Sequence, residues 1–211
     1  MTGFENSLTG TREKLSRLVR DQVQAFRSRP GRWYALLAAP RGGICAEIGV
    51  WAGGFSARIV QLRKPRELHL IDPWLFAPTL PERMYGGAVA TDQAYMDALM
   101  ASVVKRFAND PGVKVHRRSS LEGAQSFKDG YFDWVYLDGD HSQESVLADL
   151  KAWLPKVKNG GVIVCDDYTW VDERRAPSVK TAIEIFMRDN PGCSGHLFFG
   201  QYLIRKIHPK H

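Results

Sequence analysis

The sequence predicts an α/β protein: a doubly wound sheet of seven mostly parallel strands, the last one antiparallel, with helices on both faces. Two short apolar runs, Trp134–Leu137 and Val162–Cys165, are separated by one helical pattern, and each run stops abruptly in acidic residues. Runs of this length, bounded by turn residues, indicate two parallel strands of a βαβ unit. A third run, Ile44–Ile48, leads through a glycine-rich turn into another helix. Because ligands bind beyond the carboxyl ends of parallel strands, we expect a ligand site where these runs end.

Composition and length fit one globular domain with a substantial core. The chain has 211 residues, of which 44% are hydrophobic and 25% charged. No apolar run approaches the roughly 18 residues of a membrane span, and Met1–Gly10 is polar, so we expect a cytoplasmic protein. Cys45, Cys165 and Cys193 form no C-x-x-C pair, and an odd number of cysteines suits a reducing compartment.

The net charge of +6 raises the question of nucleic acid as a partner. The basic residues are scattered along the chain and form no stripe, which favours a role in solubility over phosphate binding. We therefore expect a small molecule as the partner, with neither nucleic acid nor a membrane bound.

Residues 1–32 are expected to form an amino-terminal helical arm, and residues 33–211 the main domain. The apolar residues of the arm follow a helical spacing: Leu15, Leu18, Val19, Val23 and Phe26. Arg29-Pro30-Gly31 is expected to end this helix. Such an arm packs on the sheet or on a second subunit, which leaves a homodimer or a higher homo-oligomer open.

The strand Ile44–Ile48 is followed by Gly49-Val50-Trp51-Ala52-Gly53-Gly54, a tight turn into a helix. The dinucleotide fingerprint G-x-G-x-x-G needs a second glycine two residues after the first, where backbone approaches a pyrophosphate. Trp51 occupies that position, so the turn suits a nucleoside ligand that has no phosphate. Asp72 ends the second strand, Arg66–Trp74, 23 residues after Gly49. A carboxylate at this distance accepts hydrogen bonds from ribose hydroxyls.

An unusually long connection lies between the second and third strands. Residues 75–91 contain prolines, glycines and aromatic residues, as in a lid-like insertion, and Asp92–Phe107 has the apolar spacing of a helix. Because loops at this edge of a sheet commonly set substrate choice, we expect Met84–Gly87 and Trp170–Ala176 to cover the acceptor site. The remaining predicted elements are the strand Val113–Arg117, the helices Gln143–Lys158 and Ser178–Arg188, and the closing strands His196–Phe199 and Tyr202–Ile207.

Acidic residues crowd the ends of two neighbouring strands. Asp138 and Asp140 follow one strand, with His141 next to them, and Asp166 and Asp167 follow the other. Carboxylates so close together are unfavourable unless positive charge lies among them. A purely structural interpretation stays open, in which Asp166 and Asp167 satisfy backbone donors at a turn and Asp140 caps the next helix.

Together these features resemble the class I S-adenosylmethionine-dependent methyltransferases, which have a Rossmann-like fold. The resemblance rests on Glu47-Ile-Gly49-Val-Trp-Ala-Gly53-Gly54, on Asp72, on Asp138-Gly-Asp140-His141 and on Asp166-Asp167-Tyr168. More narrowly, the chain resembles small bacterial O-methyltransferases related to macrocin-type sugar O-methyltransferases and, more distantly, to catechol O-methyltransferase. The resemblance covers roughly residues 40–207.

The resemblance implies a role for each matched residue, in two groups. The first group would bind the cofactor: Glu47, Gly49, Val50, Gly53 and Ser56 at its methionine part, Asp72 at the ribose hydroxyls, Ser119 and Ser120 at adenine, and Asp138 beside them. The second group would carry the chemistry: Asp138, Asp166 and Asp167 as ligands of Mg²⁺, and His141 or Asp140 as the base. Physical chemistry favours the same cation, because Mg²⁺ takes oxygen ligands and lowers the pKa of a bound hydroxyl.

The sequence therefore predicts an enzyme that uses S-adenosylmethionine and Mg²⁺ to methylate a hydroxyl group of a small molecule. A sugar or polyhydroxylated natural product is favoured as the acceptor over a catechol-like phenol. Two alternatives stay open: a metal-independent methyltransferase that uses His141 or Asp140 as its base, and a non-catalytic S-adenosylmethionine-binding module. A nicotinamide oxidoreductase is disfavoured by Trp51.

Overall fold

The computed structural model describes residues 30–172 and 175–207, and within them one seven-stranded sheet. The strands are β1 (Ile44–Ile48), β2 (Glu67–Asp72), β3 (Val113–Arg117), β4 (Phe132–Leu137), β5 (Val157–Cys165), β6 (Cys193–Phe198) and β7 (Gln201–Lys206). Their order across the sheet is β3-β2-β1-β4-β5-β7-β6, and β7 runs antiparallel to both of its neighbours. The predicted doubly wound, mostly parallel sheet is confirmed.

Helices cover both faces of this sheet. They are α1 (Pro30–Ala38), α2 (Gly54–Arg63), α3 (Gln93–Arg106), α4 (Ser120–Gln125), α5 (Gln143–Trp153) and α6 (Ser178–Asp189), and Met84–Ala88 forms a short π-helical turn. Alternate side chains of β4 face two separate cores. Trp134 and Tyr136 pack with α1, α2 and α3, whereas Val135 and Leu137 pack with α4, α5 and α6. Among the described residues, none of these helices has the length and apolar character needed to cross a membrane.

The central parallel strands end at one level. Ile48, at the end of β1, is paired with Ile71 in β2 and with Leu137 in β4. Leu137 is in turn paired with Cys165, at the end of β5. The residues that follow these strands therefore share one edge of the sheet, where the glycine turn and the clustered acids meet although they are distant in sequence.

Helix α1 begins where the sequence analysis placed the end of a helix. Pro30 is its first residue, because the fixed φ and missing N–H of proline suit the first helical turn. The predicted boundary between arm and domain, at residue 32, therefore falls inside α1. The rest of the predicted arm, residues 1–29, lies outside the described residues.

Helix α5 also differs from its predicted extent. It ends at Trp153, before the predicted Lys158. Leu154 still has helical backbone angles, but it is followed by Pro155, which has no N–H to continue the helix and whose ring clashes with the preceding turn. Strand β5 consequently begins at Val157, earlier than the apolar run alone indicated.

The turn between β6 and β7 holds α1 in place. Gly31 lies so close to Phe199 that a Cβ at this position would overlap the Phe199 carbonyl oxygen. The Tyr34 ring packs edge-on against Phe198, with ring centroids 4.1 Å apart, and stacks on Phe199 at 5.4 Å. These contacts fix the orientation of α1 and so direct its Arg32 toward the ends of the strands.

Gly49 is a position in the turn after β1 at which no side chain fits. Its φ is 85°, and a Cβ there would overlap the backbone carbonyl of Asp138 on the neighbouring strand end.

We expect Gly49→Ala to lower the free energy of unfolding by about 3 kcal/mol or more, measured by urea unfolding, because backbone strain and overpacking add.

Gly160→Ala is the matched control for this substitution. Gly160 has a similar φ of 80°, but no neighbouring atom lies within 4 Å of its Cβ position. We expect a loss of only about 1–2 kcal/mol from backbone strain. Equal losses in the two variants would contradict the close approach of Gly49 and Asp138.

Candidate active site

A cavity of about 880 Å³ opens at this edge of the sheet, and most of the predicted site residues line it. They are Glu47, Gly49, Val50, Asp72, Ser119, Ser120, Asp138, Asp140, His141 and Asp167. Gly53, Ser56 and Asp166 are the predicted residues that do not line it. Asp72 and the acids after β4 therefore face one common cavity.

The Asp72 carboxylate fixes the glycine turn. Its Oδ2 accepts hydrogen bonds from the backbone N–H groups of Val50 and Trp51, both at 2.9 Å, and its Oδ1 accepts one from Trp74 at 2.7 Å. Burial raises the pKa of Asp72, and these hydrogen bonds oppose the rise. A carboxylate has about four acceptor positions, so Asp72 can hold the turn and still accept a hydrogen bond from a ligand.

Glu47 is a buried acid beneath the turn. It is 2% exposed, and burial raises its pKa to about 8, with the neighbouring Ser56 hydroxyl opposing the rise. Its Oε2 has no hydrogen-bond partner among the described residues. A positively charged N–H group bound beside Glu47 would lower this pKa and give Oε2 a partner, so the position fits a ligand of that kind. Ser56 is fully buried and Gly53 is the N-cap of α2, so both lie next to residues of the cavity wall without lining the cavity themselves.

Arg32 from α1 supplies the positive charge that the crowded acids require. Its Nη2 lies 2.7 Å from Oδ2 of Asp138, and it also forms an ion pair with Asp166. The guanidinium carbon lies 5.6 Å from the centre of the Phe55 ring. Arg32 was not among the predicted site residues, because it is 106 residues from Asp138 in the sequence. Clustered acids in a sequence predict that a positive charge lies among them, but they do not indicate which residue carries that charge.

Asp166 points into the protein and away from the cavity. It is 4% exposed, and its Oδ1 accepts hydrogen bonds from the Gln201 side chain and, at 2.8 Å, from the N–H of Asp167. Asp167 has a φ of 53°, a left-handed conformation that is strained for a residue other than glycine. With the chain turned in this way, Asp166 faces Arg32 whereas Asp167 lines the cavity.

The group that could hold a metal ion contains His141 in place of Asp166, which differs from the predicted trio of aspartates. One ligand atom each from Asp138, His141 and Asp167 lies within 4.8 Å of the others. His141 Nε2 is 3.2 Å from Asp167 Oδ2. Burial lowers the pKa of His141, but the hydrogen bond to Asp167 and the charge of Asp138 outweigh burial, so the pKa is raised. Burial raises the pKa of Asp138, and Arg32 opposes that rise.

Asp140 organises the start of α5. Its Oδ2 accepts hydrogen bonds from the hydroxyls of Ser142 and Ser145, both at 2.8 Å. Burial favours a higher pKa for Asp140, but these hydrogen bonds outweigh it and the pKa is lowered. The N-cap of α5 is Ser142 and not Asp140. Because a carboxylate with a lowered pKa is a weaker base, Asp140 is poorly suited to take up a proton near neutral pH.

The start of α4 forms another part of the cavity wall. Ser119 caps this helix in a capping box with Glu122, and the Ser120 hydroxyl accepts a hydrogen bond from the Trp153 indole N–H at 2.9 Å. Asp149 lines the cavity too, and burial raises its pKa to about 6 while the Ser120 hydroxyl opposes the rise. Asp149 was not among the predicted site residues, although an acid on the buried, apolar face of a helix is a signal that the sequence contains.

Two loops border the cavity on its open side. Met84 and Tyr85 from the insertion at residues 75–91 line it, as does Trp170 from the loop after β5. The Arg83 guanidinium lies 4.8 Å from the centre of the Trp170 ring and so connects the two loops. The Trp170 ring is in turn 5.2 Å from that of His141. Within the predicted cover Trp170–Ala176, residues 173–174 lie outside the described part of the chain.

The strand order, the glycine turn after β1, the acid that ends β2 and the cavity at the strand ends define the class: S-adenosylmethionine-dependent methyltransferases of the Rossmann-like fold. Sequence comparison then identifies the family. The chain belongs to a family of methyltransferase domains, and the family model matches residues 46–168, more than half of the chain.

Individual relatives are distant. An uncharacterized protein of Acanthamoeba polyphaga mimivirus is 28% identical over 148 residues, which cover 68% of this chain and 58% of that protein. The chain thus spans less than two thirds of this relative's length.

Solved structures show the same fold at low identity. A Corynebacterium glutamicum protein has a TM-score of 0.60 at 19% identity, with 100% of both chains covered. A candidate caffeoyl-CoA O-methyltransferase of Staphylococcus aureus has a TM-score of 0.56 at 12% identity, covering 90% of this chain and 82% of that one. The N-methyltransferase NodS of Bradyrhizobium japonicum has a TM-score of 0.58 at 13% identity, covering 87% and 97%. Since these neighbours differ in their acceptor atom, the fold alone does not decide it.

The raised pKa of Glu47 predicts a pH-dependent stability. An ordinary glutamate titrates near about 4.3, whereas Glu47 in the folded state titrates at about 8. Between these values the folded state holds a proton that the unfolded state has lost, so Glu47 lowers the free energy of unfolding as the pH rises through this window. Glu47→Gln removes the titration, and we expect the variant to gain stability relative to wild type between about pH 5 and about pH 8.

Urea unfolding at the two pH values measures this gain. The exposed Glu184 on α6 is the control position, where the same substitution is expected to have little effect at either pH. A stability difference between Glu47→Gln and wild type that stays constant across the window would contradict the raised pKa.

Proposed function

We propose that this chain transfers the methyl group of S-adenosylmethionine to a hydroxyl oxygen of a small molecule in the cytosol. The observation that supports this most strongly is the group Asp138, His141 and Asp167, which faces the same cavity as Asp72. A group of this kind binds a cation or accepts a proton, and either action activates a hydroxyl. A sugar or polyhydroxylated natural product is the favoured acceptor, and a catechol-like phenol is the second choice. The cysteines form no disulfide, which agrees with a reducing compartment.

The glycine turn and its neighbours would hold the cofactor. Gly49 and Val50 present backbone at the cavity, Asp72 would accept hydrogen bonds from ribose hydroxyls, and Glu47 would pair with an ammonium group. Ser120 would border the adenine. When bound, the cofactor supplies an electrophilic methyl group on a positively charged sulfur. The acidic wall of the cavity favours the binding of such a cation.

The acceptor hydroxyl can be activated in two ways. In the first, a divalent cation is bound, and the residues present fit such a cation. Asp138, His141 and Asp167 offer two carboxylates and one imidazole in a compact group. Carboxylates suit Mg²⁺, and the imidazole extends the choice to Mn²⁺ and Zn²⁺. When bound, the cation would lower the pKa of the acceptor hydroxyl. In this arrangement His141 is a ligand and not the base.

Arg32 favours a second arrangement, without a metal. Its guanidinium already compensates part of the charge of Asp138 and Asp166, so the site needs less positive charge from outside. The hydrogen bond to Asp167 orients the His141 ring. His141 then takes the proton of the acceptor hydroxyl as a general base, and Asp167 stabilises the imidazolium that forms.

A chelator distinguishes the two arrangements. The purified protein is incubated with S-adenosylmethionine that carries a deuterated methyl group and with an extract of small molecules, and labelled products are identified by mass spectrometry. If the three residues hold a cation, EDTA abolishes the transfer of label and Mn²⁺ or Mg²⁺ restores it. If His141 is the base, EDTA leaves the transfer unchanged. Label found only on nitrogen, or cofactor binding without any labelled product, would contradict the proposed function.

His141→Gln tests the residue that both arrangements use. We expect kcat to fall by roughly 10²–10⁴-fold because a positioned base or ligand is lost. The affinity for S-adenosylhomocysteine, measured by calorimetry, should not change. His196→Gln, at an exposed position of β6, is the control and should keep full activity. A His141→Gln variant as active as wild type would exclude His141 from the chemistry.

A further inference from the structure

Arg32 forms ion pairs with two acids that follow different strands: Asp138, which lines the cavity, and Asp166, which does not. We propose that Arg32 is a positioning residue: a cation built into the chain that holds Asp138 and Asp166 together at the ends of β4 and β5 and orients the Asp138 carboxylate in the cavity wall. The inference rests on the proposed function only in that Asp138 faces the acceptor.

The burial of the three partners makes their charges interdependent. The side chains of Arg32, Asp138 and Asp166 are 13%, 19% and 2% exposed. Removing one partner from a buried ion pair leaves an uncompensated charge in a low dielectric, which is strongly destabilising. Arginine suits this position because its guanidinium stays charged at all working pH values and can contact two carboxylates at once.

Asp166 is held on its other side by a separate network. The Gln201 side chain donates a hydrogen bond to Asp166, and the Tyr136 hydroxyl donates one to Gln201 Oε1 at 3.0 Å. Gln201 begins β7, next to the turn that packs against α1. The same hairpin therefore positions both Arg32 and its buried partner, Asp166.

The geometry has a direct consequence for Asp138. Arg32 binds Oδ2 of this carboxylate, which fixes its direction and leaves further acceptor positions for a cation or an acceptor hydroxyl. Without the guanidinium, Asp138 and Asp166 would repel each other and Asp138 would lose its fixed orientation. Arg32 thus acts on the chemistry through Asp138, without itself reacting.

Thermal unfolding of a single variant and a double variant tests this role. We expect Arg32→Met to lower the Tm by roughly 10 °C, because two buried acids lose their cation. Arg32→Met combined with Asp166→Asn removes one charge of each sign and should recover most of this loss. Mn²⁺, used as a probe cation, should raise the Tm of Arg32→Met more than that of the double variant, which has one acid fewer.

Arg117→Met is the matched control, because Arg117 pairs with Asp97 at 2.5 Å on the surface, where the side chains are 41% and 52% exposed. We expect its Tm to fall by only about 2 °C or less. The proposal is overturned if Arg32→Met is as stable as wild type. It is also overturned if the double variant is no more stable, or no better folded, than Arg32→Met, since Arg32 would then act through packing. None of these readouts needs a methyl acceptor, so they separate this inference from the proposed function.

Discussion

Charge compensation at the ends of β4 and β5 is the constraint on which the site depends. Three aspartates meet there in a partly buried wall, and like charges at such a place are costly unless each has a partner. The fold brings in two basic side chains from separate parts of the chain. Arg32 comes from α1 and pairs with Asp138 and Asp166. His141 comes from the loop before α5 and contacts Asp167.

Backbone geometry directs the two acids after β5 to different places. The left-handed conformation of Asp167 separates its side chain from that of Asp166, so that one acid faces the cavity and the other faces Arg32. The close approach of Gly49 to the Asp138 carbonyl places the glycine turn after β1 directly beside the end of β4. Asp72 completes the arrangement because its carboxylate holds the turn that Gly49 begins. The glycine turn and the acids after β4 are therefore parts of one edge of the sheet and line one cavity.

Features set by local physics could be predicted from the sequence. The bounds of β1, and the acids that follow β4 and β5, follow from short apolar runs and the turn residues that stop them, and β3 also has its predicted bounds. What could not be predicted depends on contacts between distant residues. The pairing of Arg32 with Asp138 requires the docking of α1 on the β6–β7 turn, and the inward direction of Asp166 requires a positive φ at Asp167. Aspartate tolerates that conformation, but nothing in the sequence demands it.

The most direct test of the account is a crystal structure of the protein with S-adenosylhomocysteine. We expect the ribose hydroxyls to lie against Asp72 and the sulfur to face the wall formed by Asp138, His141 and Asp167. A nucleoside bound outside this cavity, or a sulfur directed away from His141, would contradict it.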